Sequence, residues 1–122
     1  MPSHPHPPTL AEVVRRAVEV CEPDGASGDM ERFMLDFEDR DEPISAIEDL
    51  PGEMRAAVER GAEGPIDPAV TMAAAVATYL GFRRDEVQED HVEILRLTVR
   101  SEFHGHPPDD VAAWLEERGV RV

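Results

Sequence analysis

The chain has 122 residues, 41% of them hydrophobic, enough for one buried core and too apolar for a wholly disordered chain. Aromatics make up only 5%, so that core must rest on Val, Leu, Ile, Ala and Met. Its 27 acids stand against 12 bases, all arginine, for a formal net charge of −15, which disfavours direct binding to nucleic-acid phosphates or anionic membranes and favours basic proteins, basic peptides or cations as partners.

Residues 1–8 hold four prolines and two histidines and are expected to form a flexible tail ahead of a single helical domain over 9–122. This opening lacks the basic and apolar regions of a secretory signal, and a cytoplasmic location is expected. Thr9 and Glu12 form a capping box, T-x-x-E. Leu10, Val13, Val14, Ala17, Val18 and Cys21 then recur at helical spacing, which predicts a helix over about 10–21. Cys21 is the only cysteine, so no intrachain disulfide can form, and its place on the apolar stripe predicts a buried, inert thiol. Pro23-Asp24-Gly25 reads as a turn.

Ser27 or Asp29 is the expected cap of a second helix, with Met30, Phe33, Met34 and Phe37 on one face and Pro43 as its limit. Ser45 and Glu48 suggest a second capping box for a short turn of helix at 44–50. Pro51 suits the start of a third helix carrying Met54, Ala57 and Val58 to Gly61. Asp67-Pro68 is a strong helix start, and no charged residue follows until after Phe82. A helix apolar all round is a buried one, so this segment is expected at the centre, with Gly81 as its C-terminal stop. The stretch is too short, and too rich in Ala and Thr, to span a bilayer.

Asp85 is the expected start of the longest helix, about 86–103, with Val92, Leu95, Val99 and Phe103 as its stripe and Val87, Ile94 and Leu97 widening it. Asp109 or Asp110 should cap a last helix with Val111, Trp114 and Leu115 inward and Gly119 as its end. No strand and no repeat is evident. The expected fold is all-α: an irregular bundle of five to six helices.

Charge is uneven along the chain. Residues 22–64 hold 14 acids and 4 bases, and the densest run is Asp36, Glu38, Asp39, Asp41 and Glu42, with Arg40 among them. At the expected C-terminal end of the second helix these acids oppose the helix dipole, and a local rule broken so often marks a candidate surface for a basic partner. The run does not fit an EF-hand, since the sixth loop position counted from Asp36 is Asp41 where glycine is required.

Two H-x-H pairs are present, His4/His6 and His104/His106, with Glu102 just before the second. Glu102, His104 and His106 are candidate ligands for zinc or nickel, although no H-E-x-x-H motif or cysteine pair supports them. The E-x-x-H motif of di-iron bundles would need glutamate at 88, where the chain has Gln88. No G-x-S-x-G and no glycine-rich phosphate loop occurs. The sequence therefore favours a non-enzymatic interaction or regulatory domain with no cofactor, one version being mimicry of nucleic-acid charge against a basic protein. A metal-binding protein and a structural subunit packing through an apolar helix face are the alternatives.

Overall fold

A computed structural model describes residues 8–23, 28–61, 66–82 and 90–120. Six α-helices appear among them: α1 (Leu10–Cys21), α2 (Gly28–Leu35), α3 (Leu50–Gly61), α4 (Pro68–Phe82), α5 (His91–Glu102) and α6 (Asp109–Glu117), with a single 3-10 turn at Ile44–Ala46. Among the described residues there is no strand, only an isolated antiparallel bridge between Thr9 and Pro43. The protein is an all-α bundle.

Helix α4 is its axis. Asp67 Oδ1 accepts from the Ala69 amide at 2.9 Å, and Pro68 opens the first turn, where a missing N–H matters least. Ten of the fifteen α4 residues are buried, and the helix packs against α1, α2, α3, α5 and α6. Its alanines let α1 and α3 approach closely, and Thr78 satisfies its buried hydroxyl on the Ala74 carbonyl at 2.9 Å. Each fully buried Val, Leu or Met contributes about 1.5–3 kcal/mol. Met72, Val76 and Leu80, all fully buried, therefore make α4 a large contributor to stability.

Several expected details change. Gly81 does not stop α4 but lies within its last turn, and a methyl there would overlap Leu50 Cδ2 and crowd Ile44. It is a close-approach glycine. The 3-10 turn is preceded by Pro43 and has no side-chain cap, so Ser45 does not cap it. Helix α5 begins at His91 among the described residues, and the expected start at Asp85 lies outside them, as do residues 1–7, Asp24-Gly25 and Ser27. Asp29 falls inside α2 rather than at its cap. The buried face of α5 is Ile94, Leu95, Thr98 and Val99, which leaves Val92 42% exposed and Phe103 half-buried. In α6, Pro108 takes the cap position and both aspartates lie in the first turn, while Gly119 at φ +72° follows the end of the helix as expected. Pro8, assigned to the tail, is tied to the fold through its carbonyl, which accepts from the Ile44 amide at 2.8 Å.

Candidate functional site

The acidic run follows α2 rather than ending it. The helix stops at Leu35, so none of Asp36, Glu38, Asp39, Asp41 and Glu42 lies within it. The dipole conflict narrows to Asp36, whose amide still donates to the Arg32 carbonyl at 3.3 Å, while the chain turns after it. The amides of Phe37 and Glu38 donate to Met34 and Leu35 carbonyls at 3.1 and 3.3 Å, and the Arg40 amide to Phe37 at 3.0 Å. Phe37 anchors these turns. It is 1% exposed and meets Phe33 edge-on, with ring centroids 5.5 Å apart.

Beyond Phe37 the backbone of the run serves α1. A helix leaves its first amides without intrahelical acceptors. Here the Leu10 amide donates to the Glu42 carbonyl and the Ala11 amide to the Arg40 carbonyl, both at 3.0 Å. The Glu12 amide donates to Thr9 Oγ1 at 3.2 Å, and Val13 starts the helical ladder on the Thr9 carbonyl. The segment is thus fixed by its main chain, and its side chains point to other tasks.

Those side chains divide into two groups. Arg40 Nε donates to both Glu42 oxygens at 3.1 and 3.0 Å, and its Nη2 to Glu53 Oε2 at 2.8 Å. The Glu53 hydrogen bond is the main cause that raises the Arg40 pKa above its ordinary value. The Glu42 carboxyl is held below its ordinary value, first by its own backbone amide and then by Arg40. Asp36 lies 3.7 Å from Arg60. Glu38, Asp39 and Asp41 are exposed and enter none of these pairs.

The second candidate set does not assemble. Glu102 Oε2 accepts from Ser101 Oγ at 3.2 Å, while His104 and His106 are exposed in the loop before α6. His104 adopts φ +54° and Gly105 φ +83°, and the Gly105 amide closes α5 on the Val99 carbonyl at 3.1 Å. The loop is therefore a helix terminus. Among the described residues, no group of three or more His, Cys, Asp or Glu side chains gathers as a metal set, and Glu102, His104 and His106 are no exception. His4 and His6 lie outside the described residues.

Two concavities went unread in the sequence. A groove of about 330 Å³ runs between α3, α4 and the end of α5, with Met54, Val58, Ala75 and Phe103 on its walls. A larger cavity of about 440 Å³ lies where the end of α1, the start of α5 and the segment after α6 meet. Its walls include Val20, Cys21, Leu95 and Val120, and its polar groups are Glu22, His91 and Arg118. Cys21 is 1% exposed, and burial pushes its thiol well above the ordinary range, as expected of an inert sulfur. Neither concavity has a local signal, since each joins residues far apart in the chain. No known protein family, curated protein or solved structure matches the chain. Among the described residues, no helix is long and apolar enough to cross a membrane.

Proposed function

We propose that this domain is a non-enzymatic interaction module whose acidic face, centred on residues 36–42, meets a basic protein surface. One observation carries the reading. The backbone of the run is committed to α1, while Glu38, Asp39 and Asp41 stay exposed and outside the local ion pairs. Carboxylates held on a fixed main chain keep their spacing, and so offer a partner a pattern as well as a charge. Asp36 and Glu42 flank that centre and also steady it through Arg60 and Arg40.

The test separates a local surface from general acidity. One variant carries Glu38→Gln, Asp39→Asn and Asp41→Asn. A charge-matched variant carries Asp109→Asn, Glu116→Gln and Glu117→Gln, which are also exposed. Binding to an immobilised oligo-arginine peptide is measured across a salt series. The first variant is expected to associate several-fold more slowly than the second and to show a flatter salt dependence, with stability within about 0.5 kcal/mol of the wild type. Equal losses in both variants would reduce the effect to net charge and end the proposal.

A structural subunit is the second reading, favoured by the groove beside α3 and by Ile66, a large apolar residue 40% exposed at its edge. Association through that groove would resist salt, since apolar burial is not screened.

A further inference from the structure

Helix α4 carries no charge on any side, and a helix of that kind is suited to burial all round. The fold leaves one side open. Thr71, Ala74, Ala75 and Thr78 share an α4 face at helical spacing and line the groove of about 330 Å³. Helices α3 and α5 both pack on α4 and barely on each other, so this face lies between them uncovered. Thr71 and Ala75 are half-buried there, as are Val58 on the α3 wall and Phe103 at the end of α5. Ile66, 40% exposed, carries the apolar surface to the edge.

Shape and chemistry select a helix as the occupant. The floor side chains are small, so a second helix can come close, and the Thr78 hydroxyl already donates to the Ala74 carbonyl. Positions 71 to 78 span about 10 Å, two helical turns. An extended segment would lay unpaired amides over this floor, a cost that a helix avoids by bonding them internally. A helix reads such a groove with apolar anchors at i, i+4 and i+7.

Charge selects the flanks of that helix. Glu59 on α3 and Glu102 on α5 line the groove, with Arg55 as the base among its described residues. Neither Glu59 nor Arg55 enters an ion pair among the described residues, and Glu102 accepts from the Ser101 hydroxyl. A second copy of the chain would bring a further net charge of −15 to an acidic surface, which disfavours self-association. We infer that the open face of α4 receives an amphipathic helix of a partner protein, apolar along the contacting stripe and basic at its flanks. This inference rests on the second reading, the groove as an interface, and is independent of the acidic face at 36–42.

The experiment uses the full chain and a capped helical peptide of about four turns, with leucines at i, i+4 and i+7 and arginines on its flanks. Binding is followed by calorimetry and by methyl NMR. The peptide should shift the methyls of Val58, Ile66 and Ala75 and bind with a negative heat-capacity change, the mark of apolar burial. Alanine in place of its leucines should abolish binding, and glutamate in place of its arginines should weaken it several-fold. Ala75→Arg occupies the floor and should weaken the peptide roughly tenfold, since contacts at the centre of a site carry most of the binding. Ala75 is half-buried, so a second variant guards against a folding defect. Glu59→Gln with Glu102→Gln removes two carboxylates that enter no ion pair among the described residues. It should weaken the peptide about threefold and flatten its salt dependence. The variant carrying Glu38→Gln, Asp39→Asn and Asp41→Asn should keep the methyl shifts. Absence of those shifts in the wild type, or full binding by a folded Ala75→Arg protein, would overturn the inference and the groove reading together. Equal binding of the glutamate-flanked peptide, or unchanged binding by the Glu59 and Glu102 variant, would overturn the basic partner and leave the groove as an interface. Loss of the shifts in the 36–42 variant would move the peptide to the acidic face and overturn this site alone.

Discussion

Helix α4 and the segment 36–44 are ordered by opposite means. In α4 the side chains do the work: ten of fifteen are buried, and no charge interrupts them. In 36–44 the main chain does it, by accepting the first amides of α1 and by the bridge from Pro43 to Thr9. Three acidic side chains of the segment remain outside, beyond the buried anchors Phe37 and Ile44. A region fixed by side chains cannot change its chemistry without unfolding. A region fixed by its backbone can carry almost any exposed side chain, which makes it the better place for a function.

The largest test of that contrast is a charge placed in α4. Ala77 is fully buried, so Ala77→Arg forces a guanidinium into the centre without a partner. The loss should be several kcal/mol, on the scale of the whole stability of a small domain. Ala74, 8% exposed, lines the groove beside Glu59 and Glu102. There an arginine stem can lie along apolar surface with its head in water. Ala74→Arg should therefore fold and lose only about 1–2 kcal/mol, read by urea titration. Equal unfolding of both variants would mean that the groove is closed in solution.

Gly81 offers a finer cut. Alanine favours a helix interior over glycine by about 1 kcal/mol, while overpacking costs about 1–3 kcal/mol. The new methyl would overlap Leu50, a buried side chain that has little room to retreat past Ile44. Gly81→Ala should thus lower the melting temperature despite its better propensity, by a net loss of about 1 kcal/mol. A rise would show that Leu50 and Ile44 give way to the methyl, so that the close approach does not require glycine.

These residues also mark what the sequence can and cannot reveal. Thr9, Asp67 and Pro68 are local signals, and the helices they start begin within a residue of the expected positions. The charge-free stretch of α4 similarly announces its own burial. Gly81 looks like a helix terminator in the sequence because its role depends on Leu50 and Ile44, residues on other elements. Helical spacing gives α5 a stripe but not its exact direction, and the packing turns the helix so that Ile94 and Thr98 are buried and Val92 is not. For the acidic run, composition could find the carboxylates but not the backbone bonds from residues 40 and 42 to α1, some thirty positions away. The cavity is still less local, since it joins Cys21 to Arg118 across 97 positions.

A backbone-held segment should transmit its loss to α1. Thr9 both caps the helix and bridges to Pro43. Thr9→Ala removes the hydroxyl that accepts from the Glu12 amide and should cost about 1 kcal/mol. Hydrogen exchange should report it most strongly at the Leu10, Ala11 and Glu12 amides. An effect confined to Glu12 would mean that the carbonyls of residues 40 and 42 hold the helix start without help from the cap.

The smallest effect concerns the Glu42 carboxylate, whose titration the fold shifts downward. Its folded pKa lies below the ordinary 4.5, through its own amide first and Arg40 second. As pH falls, the unfolded chain takes up this proton before the folded chain does. The contribution to stability is therefore complete above the unfolded value and is lost as pH falls through the lower folded one. Glu42→Gln should be less stable than wild type at neutral pH, with the difference shrinking through that acid window. The group is only half-buried, so the difference should be small and should fade in high salt. Arg40→Gln should act differently on the same titration. It leaves the amide in place, so part of the pKa depression survives, although the Glu53 hydrogen bond is also lost. Parallel acid unfolding of wild type and Glu42→Gln would place this side chain with Glu38, Asp39 and Asp41. The contrast with α4 would then sharpen, because the acidic face would gain a fourth carboxylate with no part in holding the fold.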